Sequence, residues 1–258
     1  TGTLEYSPVI VNVTGGTGFS SAYIGVSLED AKHANNNSST NFLTRSWKIN
    51  QSGITNCVVT VTGTYINSVA DVSGTLGSIR AAQLNGVFNQ STNPWIKTGG
   101  SVLSGTSLTY TGATITTGQQ SIFTGITSAN PTVTISGGNV TVCKDGGVTL
   151  TAVPVGDSSF IYLWSNGLGT SVTATPSTAT VGGPTNYTVT VKDANGISSS
   201  ASTAVAVTVV AVPVAPVIAK SPNVSTVNEG TTLTISVTTS GTGGTGTSQD
   251  EYRFSTDN

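Results

Sequence analysis

The residue types that do chemistry are few in this chain, and they are scattered. His33 is the only histidine. A Ser-His-Asp triad needs a histidine oriented by a carboxylate. His33 instead lies in Glu29-Asp-Ala-Lys-His33, ahead of Asn35-Asn36-Asn37, which reads as an exposed polar loop. Glycoside hydrolysis needs two carboxylates converging on one cleft. The glutamates Glu5, Glu29, Glu229 and Glu251 fall in turns, near the ends or in separate regions. Zinc draws several His or Cys ligands, and this sequence assembles no such set. Calcium needs oxygen ligands from a compact loop. Asp71 in Asn67-Ser-Val-Ala-Asp71 and Asp193 in Asp193-Ala-Asn-Gly196 are the best candidates, and each also reads as an Asx-type turn. The expectation is no catalytic residue, no cofactor and no metal.

Three tryptophans and two cysteines complete the set. Trp164 alternates with Tyr162, and Trp47 sits in Arg45-Ser-Trp-Lys-Ile49; both read as strand residues facing a core. Trp95 follows Pro94 amid Asn and Thr, so core and surface placements both stay open. If any side chain here stacks on a glycan, Trp95 is the candidate contact. Cys57 and Cys143 form the candidate disulfide, which requires Cα atoms within ~7 Å; two separate thiols are the alternative. Neither lies in a C-x-x-C pair, so thioredoxin-type chemistry lacks its motif. Tyr187 opens a Tyr-Thr-Val-Thr-Val run and suits a corner tyrosine that bonds backbone. Asn-x-Ser/Thr sequons recur, as at Asn12, Asn36 and Asn186. A chain so rich in Asn, Ser and Thr produces them by chance.

These side chains must be carried on a β framework. Hydrophobic residues make up 36% of the 258, enough to fill several small cores. Charged residues are only 8%, against ~25% in an ordinary soluble domain. A disordered chain pairs low hydrophobicity with high charge, so disorder does not fit. Thr, Val, Ile and Tyr favour pleated, half-buried surfaces, and 31 glycines supply turns. No window repeats apolar residues at helical spacing for three turns. The composition predicts an all-β fold.

The net charge is −2, and nine Lys and Arg are spread singly. Without a basic patch, nucleic acid is not an expected partner. No apolar run reaches the ~18 residues of a membrane span; the longest, Ala204 to Ile218, is broken by Thr208, Pro213 and Pro216. No signal peptide stands at Thr1, so the chain reads as mature or excised from something longer. A surface of hydroxyls and amides responds little to salt and offers few Lys or Arg protease sites. Both properties suit an extracellular life.

The spacing of strand candidates predicts three regions. Residues 1–130 hold about eight short strands, a larger β-sandwich. They run Leu4–Val13, Ser21–Leu28, Phe42–Ile49, Cys57–Ile66, Ser78–Phe88, Trp95–Lys97, Leu108–Tyr110 and Gln120–Thr124. Residues 131–212 hold Val140–Cys143, Val148–Ala152, Phe160–Trp164, Ser171–Ala174, Tyr187–Val191 and Ala204–Val210. There Asp193-Ala-Asn-Gly196 fits a hairpin between the last two strands. Val212-Pro-Val-Ala-Pro216 reads as a semi-rigid linker, because proline cannot donate to a ladder. Residues 213–258 reach one full strand, Leu233–Thr238, and a second apparent one, Glu251–Ser255. That is too little for an independent core, so this piece reads as the start of a further, incomplete module. Lys144-Asp-Gly-Gly-Val-Thr-Leu-Thr-Ala152 and Val227-Asn-Glu-Gly-Thr-Thr-Leu-Thr-Ile235 open two strands alike, which predicts a tandem array.

At these residues a family resemblance appears. Cys143 to Ala152, Tyr162-Leu-Trp-Ser-Asn-Gly167 and Asn186-Tyr-Thr-Val-Thr-Val-Lys-Asp-Ala-Asn-Gly196 resemble Ig-like or PKD-like modules of large secreted surface proteins of Bacteroidota. Leu4-Glu-Tyr-Ser-Pro8, Val59-Thr-Val-Thr-Gly-Thr-Tyr65 and Ile122-Phe-Thr-Gly125 resemble a β-sandwich domain common in the same proteins. These include gliding-motility adhesins exported by the type 9 secretion system. The chain departs from antibody-type Ig domains, since Cys143 lies upstream of Trp164 and no second cysteine follows. The resemblance implies tandem Ig-like β-sandwiches in an elongated rod. It implies a non-enzymatic, extracellular, cell-surface segment acting as stalk or adhesin. The partners implied are neighbouring modules, surface polysaccharide or other cell-surface proteins. The alternatives are a carbohydrate-binding accessory region of a secreted enzyme, and a subunit of a surface filament or phage structural assembly.

Overall fold

The computed structural model describes residues 6–66, 70–100, 102–221, 223, 226 and 228–243. Among these described residues, twenty strands follow in chain order. The first ten are β1 (Val9–Thr17), β2 (Tyr23–Glu29), β3 (Phe42–Leu43), β4 (Ser46–Ser52), β5 (Thr55–Thr64), β6 (Val72–Ser73), β7 (Ile79–Asn85), β8 (Ile96–Lys97), β9 (Ser107–Ile115) and β10 (Ser121–Thr127). The rest are β11 (Thr132–Ser136), β12 (Val140–Cys143), β13 (Leu150–Val155), β14 (Ile161–Trp164), β15 (Thr173–Ala174), β16 (Gly182–Tyr187), β17 (Val189–Lys192), β18 (Val205–Val210), β19 (Val217–Ser221) and β20 (Thr234–Thr239). Two single 3-10 turns, Leu76–Ser78 and Ser165–Gly167, are the only helical pieces among the described residues. The fold is all-β.

The residues cluster into two compact units. The first comprises 1–134, 153–163 and 189–202; the second comprises 135–152, 164–188 and 203–258. These units interleave along the chain, whereas the segments read from sequence are contiguous.

In the first unit, a three-stranded sheet β1-β5-β9 and a five-stranded sheet β2-β4-β10-β7-β8 share one core in a β-sandwich arrangement. Alternation in β5 sends Cys57, Val59 and Val61 inward. Gly63 continues that face, and the Trp47 ring fills the space a Cβ there would occupy, 2.5–2.6 Å away. Leu43, Ile49, Ile79, Leu108 and Phe123 complete the packing. Each such side chain stabilises by about 1.5–3 kcal/mol when withdrawn from water. Strands β7 and β10 are buried on both faces. On the outer face, Ala82, Leu84, Trp95, Ile122 and Ile126 form a second cluster, with Phe88 and Ile197 packed against it.

In the second unit, β12-β18-β16 form a sheet in which β12 runs parallel to β18, Val140 opposite Val207. β13 pairs with β15 through Leu150 and Ala174. β19 and β20 form a two-stranded antiparallel ladder whose residues are exposed.

Several expectations need correction. Thr132–Ser136, Gly182–Tyr187 and Val217–Ser221 are strands that the sequence reading left out. Tyr187 ends β16 instead of opening β17. The Asp193–Gly196 turn exists, but β17 and β18 belong to different sheets. Across that turn, Lys192 bridges Ser198, and the Ser199 and Ser202 N–H groups donate to Val191 O and Val189 O. Within the expected linker, Val214, between the prolines, exchanges two hydrogen bonds with Thr242. Leu4, the first residue of one expected strand, and all of Glu251–Ser255 lie outside the described residues. The two similar strand openings also diverge, with Leu150 buried and Leu233 43% exposed.

Candidate functional site

A dense polar arrangement of the first unit joins two turns, one of them rich in asparagine. One is Asn35-Asn36-Asn37-Ser38-Ser39; the other is Asp193-Ala-Asn-Gly196. Each is set locally by Asx chemistry, in which a short side chain substitutes for backbone. Asp193 Oδ1 accepts the N–H groups of Asn195 at 3.0 Å and Ile197 at 2.8 Å, and the Gly196 N–H returns to Asp193 O. Gly196 has φ +77°, and a Cβ there would collide with Pro94 and lie 2.6 Å from Gln90 O. Only glycine fits both constraints. In the first turn, Asn36 Oδ1 accepts the Ser38 N–H, and Asn36 Nδ2 donates to Gly125 O on β10.

The two turns lock together. The Asn37 N–H donates to Asn195 Oδ1 at 2.8 Å, and Asn37 Nδ2 donates to Ala194 O at 2.8 Å. Asn195 Nδ2 reaches Ser38 Oγ at 3.2 Å and Asp157 Oδ2 at 3.3 Å. Asp157 Oδ1 accepts both the N–H and the hydroxyl of Ser39, each at 2.8 Å. Its backbone oxygen accepts the Ala194 N–H. The backbone N–H of Trp95 donates to Asn195 O, and Gln90 Nε2 donates to Asp193 O. Asn36, Ser38, Asp157, Asp193 and Asn195 are all buried. Buried amides and carboxylates are tolerated because their donors and acceptors are met.

The charges fit this frame. Burial pushes the Asp193 carboxyl up from its ordinary value, against its two backbone donors. Burial also pushes the Lys97 ammonium down to about 8. Lys97 Nζ still donates to Ser128 O, Ala129 O and Asn130 Oδ1 at 2.8–3.1 Å. The arrangement holds backbone segments in place; its carboxylates are occupied by donors from the chain itself.

The residues singled out from sequence fall as follows. Trp95 is 1% exposed, its Nε1 donates to Asn35 O at 2.7 Å, and it packs beneath the junction. The proposed glycan contact at Trp95 is therefore corrected: a buried indole offers no face to a sugar. Trp47 and Trp164 are buried, as their strand patterns predicted. His33 is not an exposed loop residue. It is half-buried, its ring stands T-shaped to the Trp95 ring with centroids 5.7 Å apart, and Nδ1 accepts the Asn35 N–H. Burial pushes its pKa below the ordinary value, opposed by Glu29. Cys57 and Cys143 are both free thiols, so the candidate disulfide is not formed. Cys57 faces the core of the first unit, where burial pushes its thiol up.

Of the two calcium candidates, Asp193 forms the Asx turn already described. Asp71 is buried against Arg45, whose guanidinium also pairs with Asp30 and bonds Ser7 Oγ. Among the described residues no three His, Cys, Asp or Glu converge as a metal site. No helix of the described residues is long and apolar enough to cross a membrane. Asn195, Asp157 and Ser39 were not foreseen from sequence; the only signal was the Asn-Gly turn.

Comparison of the chain with protein-family models, with curated proteins and with solved structures found no match.

Proposed function

We propose that the chain is a non-enzymatic, extracellular segment of a large cell-surface protein, built of tandem Ig-like β-sandwiches and acting as stalk or adhesin. The observation that carries the reading is the buried junction around Asn195. A spacer must transmit position along its length, and the junction fixes residues 193–197 to the loop at 35–39 by side-chain and backbone bonds. Uncharged hydrogen bonds of this kind are insensitive to ionic strength, unlike surface ion pairs. The parallel pairing of β12 with β18 supports a module that closes through its own ends. The low charge and the hydroxyl-rich surface support an exposed, secreted life. The motif resemblance to Bacteroidota adhesins supports gliding motility and type 9 secretion as its setting.

Small-angle X-ray scattering tests the reading. A rod-like profile, with the same cross-section at low and high salt, is expected. A compact spherical profile contradicts it.

A second reading, a subunit of a surface filament or phage assembly, is favoured by one feature. β19 and β20 expose Val217, Ile218, Ile235 and Val237 on a two-stranded ladder, and such ladders are marginally stable alone. Concentration-dependent mass in solution supports it; a monomer at every concentration argues against it.

A further inference from the structure

A second place on the first unit has the chemistry of a ligand site. The beginning of β2, the end of β4 and the turn joining β9 to β10 border an open cleft of about 300 Å³. Tyr23 lines it, 58% exposed although it sits in a strand. Its sides are Asn50, Ser52, Thr117, Gln119 and Gln120, and no Lys, Arg, Asp or Glu lines it. The volume lies at the lower end of the ~300–1,000 Å³ of small-molecule sites.

The backbone behind the cleft is held in place. Gln51 is 3% exposed and spends its whole amide on the frame: Nε2 donates to Ile54 O, Ile115 O and Thr117 Oγ1, and Oε1 accepts the Ile54 N–H. That amide fixes the β9–β10 turn against β4. The Gln119 N–H closes the same turn on Thr116 O, and Gln120 O accepts the Gly86 N–H. Across the ladder, Tyr23 pairs with Ser52 and Gly25 with Asn50. A Cβ at Gly25 would collide with Asn50 Oδ1, so glycine lets the Asn50 amide lie over β2 beside Tyr23.

A flat, exposed phenol ring next to three free amides matches one kind of ligand. The ring offers an apolar face at low conformational cost. Each carboxamide offers donors and an acceptor at once, as vicinal hydroxyls require. The absence of charge in the lining leaves a phosphate or carboxylate without a partner. We propose that this cleft binds a neutral carbohydrate, with one sugar ring stacked on Tyr23 and its hydroxyls bonded by Asn50, Gln119 and Gln120. The site deepens the adhesive part of the reading above. The scattering test of the rod and the binding test here are independent, so failure of one leaves the other standing.

The test uses the full chain on a printed array of neutral oligosaccharides of glucose, galactose, mannose, xylose and N-acetylglucosamine. The strongest hit is then titrated calorimetrically. Tyr23→Ala should weaken binding about tenfold or more, the weight of one stacked ring. Tyr23→Trp should retain binding, and Gln119→Ala should weaken it. Affinity should be the same at low and high salt. Tyr23 and Gln119 are exposed, so unchanged melting temperatures should certify both variants as folded. The proposal is overturned by an array with no neutral glycan bound, by binding that survives both alanine variants, or by binding lost at high salt.

Discussion

The backbone N–H of Asn37 donates to the side-chain oxygen of Asn195 at 2.8 Å, across a sequence separation of 158 residues. One amide thereby ties an early loop of the chain to a turn far downstream, and its nitrogen is used as well, on Ser38 and Asp157. Asn195→Ala removes both halves: the part-buried Asn37 N–H loses its acceptor, and the buried Ser38 Oγ and Asp157 Oδ2 lose a donor. A buried polar group left unpaired costs about 1–3 kcal/mol, and the lost Asn37 bond adds to this. Thermal unfolding should show Asn195→Ala destabilised by about 2–4 kcal/mol.

Gly196 gives a sharper comparison. Gly105 has φ +70° with open space where a Cβ would go, and Gly196 has φ +77° with Pro94 and Gln90 in the way. Gly105→Ala should cost about 1 kcal/mol, the strain of a left-handed backbone alone. Gly196→Ala should cost about 2 kcal/mol or more, because the junction must open to admit a methyl group. Urea unfolding of the two variants measures the difference.

His33 should titrate below its unfolded value of about 6.5, because burial beside Trp95 disfavours the imidazolium. The lowered pKa fixes the sign. Its contribution to stability is fully present above about pH 6.5 and is lost as the pH falls from there through the folded pKa. Proton NMR of the imidazole should give the lowered midpoint. Replacing His33 by Gln should flatten the acid side of the stability curve in that window.

The cysteines should behave as two unlike thiols. Cys143 is partly accessible, whereas Cys57 is 1% exposed with its pKa raised. An aromatic disulfide reagent at neutral pH should label Cys143 in the native protein and Cys57 only after denaturation. A count of zero thiols in denaturant without reductant would restore the disulfide.

Much of the framework was legible because strands write themselves as local patterns. Val140–Cys143 coincides with β12, and the inward alternation of Val59 and Val61 is visible in Val58-Val-Thr-Val-Thr. The strand Gly182–Tyr187 was missed because Gly-Gly-Pro reads as a break. Its pairing with β18 survives through a register shift between Gly182 and Thr185. The junction was invisible for a different reason. Asn35, Asn36 and Asn37 carry every local mark of a solvated loop, and only partners far away in sequence make the burial of Asn36 tolerable. Trp95 was divided between core and surface by the same polar neighbours. Asn93 is among those that turn inward, donating to Asn85 O and Val87 O.

The central claim is that residues 193–197 and 35–39 are one rigid body. Native-state hydrogen exchange of the Asn37 and Ser39 amides tests it most directly. These N–H groups donate to Asn195 Oδ1 and Asp157 Oδ1 and to no strand partner. Protection comparable to that of the β10 amides, Ile122 to Ile126, is the predicted result. Exchange at the rate of an open loop, while β10 stays protected, would contradict it.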